Sequence, residues 1–254
     1  MIIDTHCHLD NEKYSEDLEE VLNRASDSGV GKFIIPGADP KDLEQAIQLS
    51  EKYSNIYFAI GIHPYHVDDW DSSIFQYIDH PKCVAVGECG LDYFRLPKDK
   101  QEREENISKQ KEIFRKQIQI AKEHKKPLIV HIRDASRDAK EILLEENEIR
   151  GVLHCFNGDT NLLDLANHNF YFGIGGVVTF KNGKKLVNSV PLIPREKILV
   201  ETDAPYLTPH PYRGTRNEPS YTTLVVEKLG ELLNMGYDEV VNLTRENSEK
   251  LFQI

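Results

Sequence analysis

Hydrophobic residues in this chain alternate between two textures: short continuous runs, and longer stretches in which they recur every three or four positions. Eight runs read as strands: IIDTH (2–6), KFIIP (32–36), IYFAI (56–60), CVAVG (83–87), PLIVH (127–131), GVLHC (151–155), FYFGI (170–174) and KILVE (197–201). Their apolar positions are mostly consecutive, which marks strands buried on both faces of a parallel sheet. The stretches between them read as amphipathic helices. The clearest precedes PLIVH, where Ile107, Phe114, Ile118 and Ala121 share one face and Pro127 closes the segment. A second runs from about Ser220, with Leu224, Val225, Leu229, Leu232 and Leu233 as its stripe and Gly236 just past its end. A last helix carries Val240, Val241, Leu243 and Leu251. Eight strand–helix units in 254 residues predict an α/β fold, a (β/α)8 TIM barrel formed as a single domain over residues 1–254. A doubly wound open sheet is the competing arrangement, but no GxGxxG turn follows the first strand.

Composition removes several classes of function. Hydrophobic residues at 39% and charged residues at 29% are ordinary for a globular chain. No apolar run approaches the ~20 residues of a membrane helix. No basic, then apolar, then small-residue leader is read at the start, so no membrane association is expected. Cys7, Cys83, Cys89 and Cys155 show no CxxC spacing and read as reduced thiols, which points to the cytoplasm. Cys7 and Cys155 each adjoin a histidine, and strand alternation should turn both thiols away from it. The formal charge of -11 argues against a surface that grips duplex nucleic acid at large. A nucleic-acid substrate would have to be held locally, by metals and a few arginines.

Candidate chemistry lies at the strand ends. His6 and His8, in MIIDTHCHLD, are two positions apart in an extended segment and therefore face the same way. Alone, the pair serves equally well as metal ligands or as hydrogen-bonded polar residues. Glu88 in VGECGLDY follows the fourth strand, His131 in LIVHIRDA closes the fifth, His154 in GVLHCFNG closes the sixth, and Asp203 in LVETDAPYL follows the eighth. All six sit at carboxyl ends of strands, the rim on which barrel enzymes build their active sites. His80, His124 and His168 fall in helices or loops and are given no chemistry. Four imidazoles and two carboxylates exceed the three protein ligands of one catalytic zinc, and suit two divalent ions that share a carboxylate. Mixed nitrogen and oxygen donors favour zinc, manganese or iron, whereas magnesium prefers oxygen alone. Six purely structural polar residues are the competing view, and burying so many without a partner is costly.

Taken together, MIIDTHCHLD, GIHPY, VGECGLDY, VHIRDA, HCFNG and ETDAPYLTPHPYRGTRNEP resemble the TatD family of metal-dependent hydrolases, described as deoxyribonucleases on a TIM barrel of the amidohydrolase superfamily. The match runs in order from residue 2 to about residue 219. The resemblance implies that His6, His8, Glu88 and Asp203 hold one ion, and that Glu88, His131 and His154 hold a second, with Glu88 bridging. The chain departs from the family pattern at Tyr65, where GxHPH becomes GIHPY, at Asn157 in HCFNG, and at Ile132 in HIRDA. None of these removes an implied ligand.

The leading expectation is a deoxyribonuclease acting as a 3'-5' exonuclease on single-stranded DNA ends. It would use two divalent ions, zinc foremost, with magnesium or manganese able to support activity, and a water activated between them. In that scheme Glu88 bridges, and Asp203 is either ligand and proton acceptor or ligand alone. His63 contacts a phosphate or protonates the leaving group, unless it merely caps its loop. Arg213 makes a bidentate phosphate contact or a surface salt bridge. Asp92 and Tyr93 shape the substrate pocket, unless GLDY is simply a turn, and Arg133 is a candidate of the same weight; Glu201 either orients a ligand imidazole or ends its strand exposed. The charged run KDKQEREENISKQKE (98–112) reads as the solvated start of a helix. An amide or ester hydrolase, such as a D-aminoacyl-tRNA deacylase, is the alternative reaction on the same residues. A non-catalytic barrel is a third reading, disfavoured because all six ligands are present. No obligate protein partner is readable.

Overall fold

The computed structural model describes residues 1–254. Its eight strands are β1 (Ile2–Asp4), β2 (Val30–Ile35), β3 (Ile56–Ile60), β4 (Cys83–Asp92), β5 (Leu128–Arg133), β6 (Gly151–Leu153), β7 (Phe170–Ile174) and β8 (Ile198–Val200). They lie side by side in chain order, every pair parallel. That order is a (β/α)8 barrel and excludes a doubly wound sheet, in which the strand order reverses. The seam between β8 and β1 is joined by the Thr5 N–H donating to the Val200 carbonyl (3.2 Å) and the Asp203 N–H donating to the His6 carbonyl (2.9 Å). Beside these, the Asp4 carboxylate accepts from the Thr202 N–H (3.0 Å) and the Thr202 hydroxyl (2.6 Å). The segments that carry His6, His8 and Asp203 are thus the ones that complete the barrel.

Five helices, α1 (Leu18–Asp27), α2 (Leu43–Lys52), α3 (Lys100–Glu123), α4 (Ser136–Glu145) and α5 (Lys184–Ser189), together with short 3-10 turns, connect the strands, and α6 (Thr222–Leu233) and α7 (Tyr237–Phe252) follow β8. Phe33, Ile35, Phe58 and Ile60 belong to the larger core between strands and helices. Alternate positions, among them Ile34, Ala59, Ala85, Ile129, Val152 and Leu199, form a second cluster in the barrel with Leu251 and Phe252 of α7. Both faces of each strand are buried, which is why the strands read as unbroken apolar runs. No helix is long and apolar enough to cross a membrane.

β1 ends at Asp4 and β6 at Leu153, each two residues short of the expected run, so His6, His8 and His154 lie just past their strands; two other element boundaries also differ from the sequence expectation. β4 continues to Asp92, five residues beyond the apolar run, because the polar residues of GECGLD keep pairing with β5. The pairing shifts register between Val86 and Cys89, the interval that contains Glu88. Close backbone contact supports this bend: a Cβ on Gly61 would lie 2.5 Å from the Gly87 carbonyl carbon. The other difference is at α6, which ends on Asn234 in the left-handed conformation (φ 53°), while Gly236 precedes α7 and donates its N–H to Glu239 (2.7 Å).

Candidate metal centre

Strand ends bring the six candidate ligands and His63 to one buried place, with Glu88 in the middle. Glu88 Oε1 lies 2.8 Å from His131 Nδ1, 3.6 Å from His63 Nε2 and 3.7 Å from His154 Nε2. Its Oε2 lies 3.4 Å from His6 Nε2. Asp203 Oδ1 is 3.5 Å from His8 Nε2 and 3.7 Å from His6 Nε2. The His6 and His154 rings stack with centroids 3.5 Å apart. Three groups, His6–His8–Asp203, His6–Glu88–His154 and His63–Glu88–His131, each gather their donor atoms within 4.8 Å.

This donor set fits divalent cations. Both ring nitrogens of His6 are buried without a hydrogen-bond partner, an arrangement that is costly unless something else satisfies them, while Nδ1 of His131 and Nδ1 of His154 have only a carboxylate oxygen beside them, of Glu88 and Glu201. Imidazole nitrogens and carboxylate oxygens are the ligands of zinc, manganese and iron. Burial pushes the Glu88 carboxyl up, but His154, His63, His6 and His131 outweigh it and hold the group well below the usual range. Asp203 is likewise held low, burial being overcome by its contact with His8 and by the fields of His154 and His6. Burial pushes His6 down and takes His63 to about 3. For His154 burial is overcome by Glu201 and Glu88, which raise it to about 10, and His131 is raised against burial by Asp92 and Glu88. The two carboxylates therefore keep their charge.

Behind the cluster stands a layer that orients it. Asp92 Oδ2 is 2.9 Å from His131 Nε2, and its Oδ1 accepts the Phe94 N–H at 2.8 Å. Asp92 is 1% exposed with both oxygens engaged, so it faces the histidine rather than the substrate pocket to which the sequence assigned it. Glu201 is fully buried, not an exposed strand-end acid: its Oε1 lies 3.0 Å from His154 Nδ1 and accepts the Cys155 N–H at 2.6 Å. Gly173 makes room for it, since a Cβ there would stand 2.2 Å from Glu201 Oε2. His63 is the N-cap of its turn, with Nδ1 accepting the Tyr65 N–H (3.1 Å), while Nε2 still faces Glu88. It fills the capping and the site-facing positions together.

Two glutamines on α3 belong to this layer and were missed in the sequence. Gln117 Oε1 accepts the Ile62 N–H (2.7 Å) and its Nε2 donates to the Ile62 carbonyl (3.0 Å). Gln110 does the same for Asp92, at 2.9 and 3.0 Å. Seven residues apart, they clamp the backbone beside His63 and at Asp92 from one helix face. A buried glutamine in an apolar stripe, at Gln110 and Gln117 alike, is the signal that was available.

The remaining candidates lie farther out. Arg213 is over the Phe180 ring (3.7 Å) and donates to the Thr208 carbonyl (3.2 Å), so it forms no surface salt bridge. Arg133 lies over the Phe94 ring at 3.6 Å. Tyr93 turns to α4, its hydroxyl donating to Asp138 (2.7 Å). Cys7, three residues past the end of β1, is buried with its thiol beside the Ile34 carbonyl. Cys155 follows the end of β6 with φ at 45°, so alternation does not govern it, and its thiol lies within 4.8 Å of donor atoms of His154 and Glu201. Burial pushes that thiol well up.

Comparison with known proteins agrees with this geometry. The model of the family described as TatD related DNase matches residues 3–253. The uncharacterized metal-dependent hydrolase YabD of Bacillus subtilis is 43% identical over the whole of both chains. YcfH of Escherichia coli, also named a metal-dependent hydrolase, is 37% identical over all of this chain and 96% of its own. The crystal structure of YJJV, a TatD homologue from Escherichia coli, superposes with a TM-score of 0.91 at 29% identity, covering 100% of this chain and 98% of the other. The chain belongs to the TatD family of metal-dependent hydrolases.

Proposed function

We propose that this hydrolase is a cytoplasmic deoxyribonuclease that removes nucleotides from the 3' ends of single-stranded DNA. One observation carries the reading: a single buried carboxylate, Glu88, faces nitrogens of four histidines, one of which, His6, has no hydrogen-bond partner on either ring nitrogen. His6, His8, Glu88 and Asp203 would hold one divalent ion, and Glu88, His131 and His154 a second, zinc being the ion that best suits these donors. Bound there, such ions neutralise phosphate charge and make water acidic enough to attack a phosphodiester at neutral pH.

The protein's own groups do the rest. Asp203 has the more open of the two carboxylates, its side chain 16% exposed against 4% for Glu88, and takes the proton given up by the attacking water. His63 is neutral, and since its Nδ1 accepts a backbone N–H, its proton sits on Nε2. It therefore donates a hydrogen bond to a phosphate oxygen, and its low basicity unsuits it to carry a proton to the leaving group. Asp92 and Glu201 fix the rings of His131 and His154, so that each presents one nitrogen in a set direction. The family description supports DNA as substrate.

A substrate panel tests this. Single-stranded DNA labelled at its 5' end should shorten stepwise from the other end in the presence of zinc, manganese or magnesium, and a chelator should stop it. Hydrolysis of D-aminoacyl-tRNA or simple amides, with DNA untouched under every ion, would replace the nuclease by an amide or ester hydrolase.

A further inference from the structure

Nine large hydrophobic side chains remain exposed, and four of them stand on loops that leave the carboxyl ends of β3, β4 and β8; Tyr212 stacks on Tyr221 (4.8 Å), which leaves Tyr65 (39%), Phe94 (57%) and Tyr206 (46%). Two of these rings touch the centre itself. Tyr65 meets His63 edge-on with centroids 4.6 Å apart, and Tyr206 meets His8 edge-on at 5.9 Å. With the strands in chain order around the barrel, the β3–β5 side lies across from the β8–β1 seam. Tyr65 and Phe94 thus form one lip of the metal cleft, and Tyr206 belongs to the opposite lip.

Each ring carries a cation. Arg95 lies 5.1 Å from the Tyr65 centroid, Arg133 lies 3.6 Å from that of Phe94, and Lys13 lies 5.2 Å from that of Tyr206. None of the three is paired with a carboxylate, in a chain whose formal charge is -11 and in which other cations such as Arg24, Arg115, Lys140 and Arg216 are ion-paired. Exposed rings beside unpaired cations match a ligand made of flat rings joined by anionic links.

We propose that Tyr65 and Phe94 on one lip and Tyr206 on the other stack bases of a single-stranded polynucleotide on either side of the reacting phosphate, while Arg95, Arg133 and Lys13 take neighbouring phosphates. The assignment deepens the deoxyribonuclease reading and rests on it. Stacking requires free base faces, which a duplex does not offer, so these rings select single strands. They also answer how an acidic protein holds a polyanion: contact is confined to the rim.

The test compares Y65A, F94A and Y206A on two oligonucleotides, one normal and one with abasic residues at its last positions. With the normal strand, each alanine variant raises KM roughly tenfold with kcat within about threefold. Y65F and Y206F recover the affinity that the alanine variants lose, which separates the ring from the hydroxyl. On the abasic strand the alanine variants and the wild type converge. An unchanged KM in all three alanine variants, or an equal rise on both strands, overturns the proposal. Fluorescence anisotropy with a labelled strand reads binding apart from turnover. Wild-type protein that binds the strand, loses binding in the alanine variants and does not cut it keeps the lips and removes the nuclease; wild-type protein that neither binds nor cuts removes both.

Discussion

Glu88 lies 2.8–3.7 Å from nitrogens on His131, His6, His63 and His154, so any change in its charge acts on four side chains together. Glu88→Gln keeps the shape and removes the charge; kcat on the preferred substrate should fall by on the order of 10²–10³ with the circular dichroism spectrum unchanged. Asp92 acts one step back, through His131 Nε2 at 2.9 Å. Asp92→Asn should weaken divalent-ion binding by about 10–100-fold in a metal titration while the fold persists, because asparagine can still accept the Phe94 N–H. An unaltered affinity would show that His131 needs no orienting carboxylate. At this scale the candidate ligands that the structure gathers around Glu88 were legible, and of their supports Glu201 was read as one of two alternatives while Asp92, Gln110 and Gln117 were not read as supports. His6 and His8 announce themselves by alternation, and Glu88, His131, His154 and Asp203 by their places at strand ends. Asp92 was assigned to the substrate because sequence spacing cannot say which way a side chain turns once its strand has been extended through a shifted register.

Helix α3 illustrates how an element serves a site it never touches. Gln117 and Gln110 are 1% and 2% exposed, and each supplies donor and acceptor to a backbone unit at the edge of the centre. Gln117→Leu would leave the Ile62 N–H and carbonyl buried and unpaired, costing about 2–4 kcal/mol in urea unfolding. A loss under about 0.5 kcal/mol would mean that water or a shifted backbone replaces the clamp. Strands were read well where burial is two-sided, as in β3 and β7, whose bounds agree with the apolar runs. They were read short in β4, because Glu88 and Asp92 interrupt the apolar pattern while the backbone goes on pairing. The polar positions that end the pattern are the ones that face the candidate metal centre.

Across the whole molecule, the seam between β8 and β1 is reinforced by long-range polar contacts as well as by the barrel. Arg24 donates to both oxygens of Glu218, at 3.1 and 2.8 Å, Arg216 donates to Asp17, and the Tyr14 hydroxyl donates to the Asn217 carbonyl at 2.6 Å. Burial pushes the Glu218 carboxyl up, yet Arg24 and Ser220 outweigh it and hold it below the ordinary value of 4.5. The folded state thus binds this proton less readily than the unfolded chain. Its contribution is complete above about pH 4.5 and is lost as the pH falls through the lower folded value. Arg24→Ala should accordingly cost about 1–3 kcal/mol at pH 7 and distinctly less at pH 3, as measured by denaturant unfolding at the two pH values. An equal cost at both would assign the effect to packing of the arginine stem. These contacts join residues nearly 200 positions apart, and no local pattern in the sequence announces them.

The account depends on one property, the capacity of the cluster around Glu88 to hold divalent cations. Metal content per chain, measured by mass spectrometry after loading with zinc or manganese at neutral pH and removal of excess, tests it most directly. Wild-type protein should retain about two ions per chain and Glu88→Gln distinctly fewer. Wild-type protein that retains less than one, or a Glu88→Gln variant that matches it, would contradict the account.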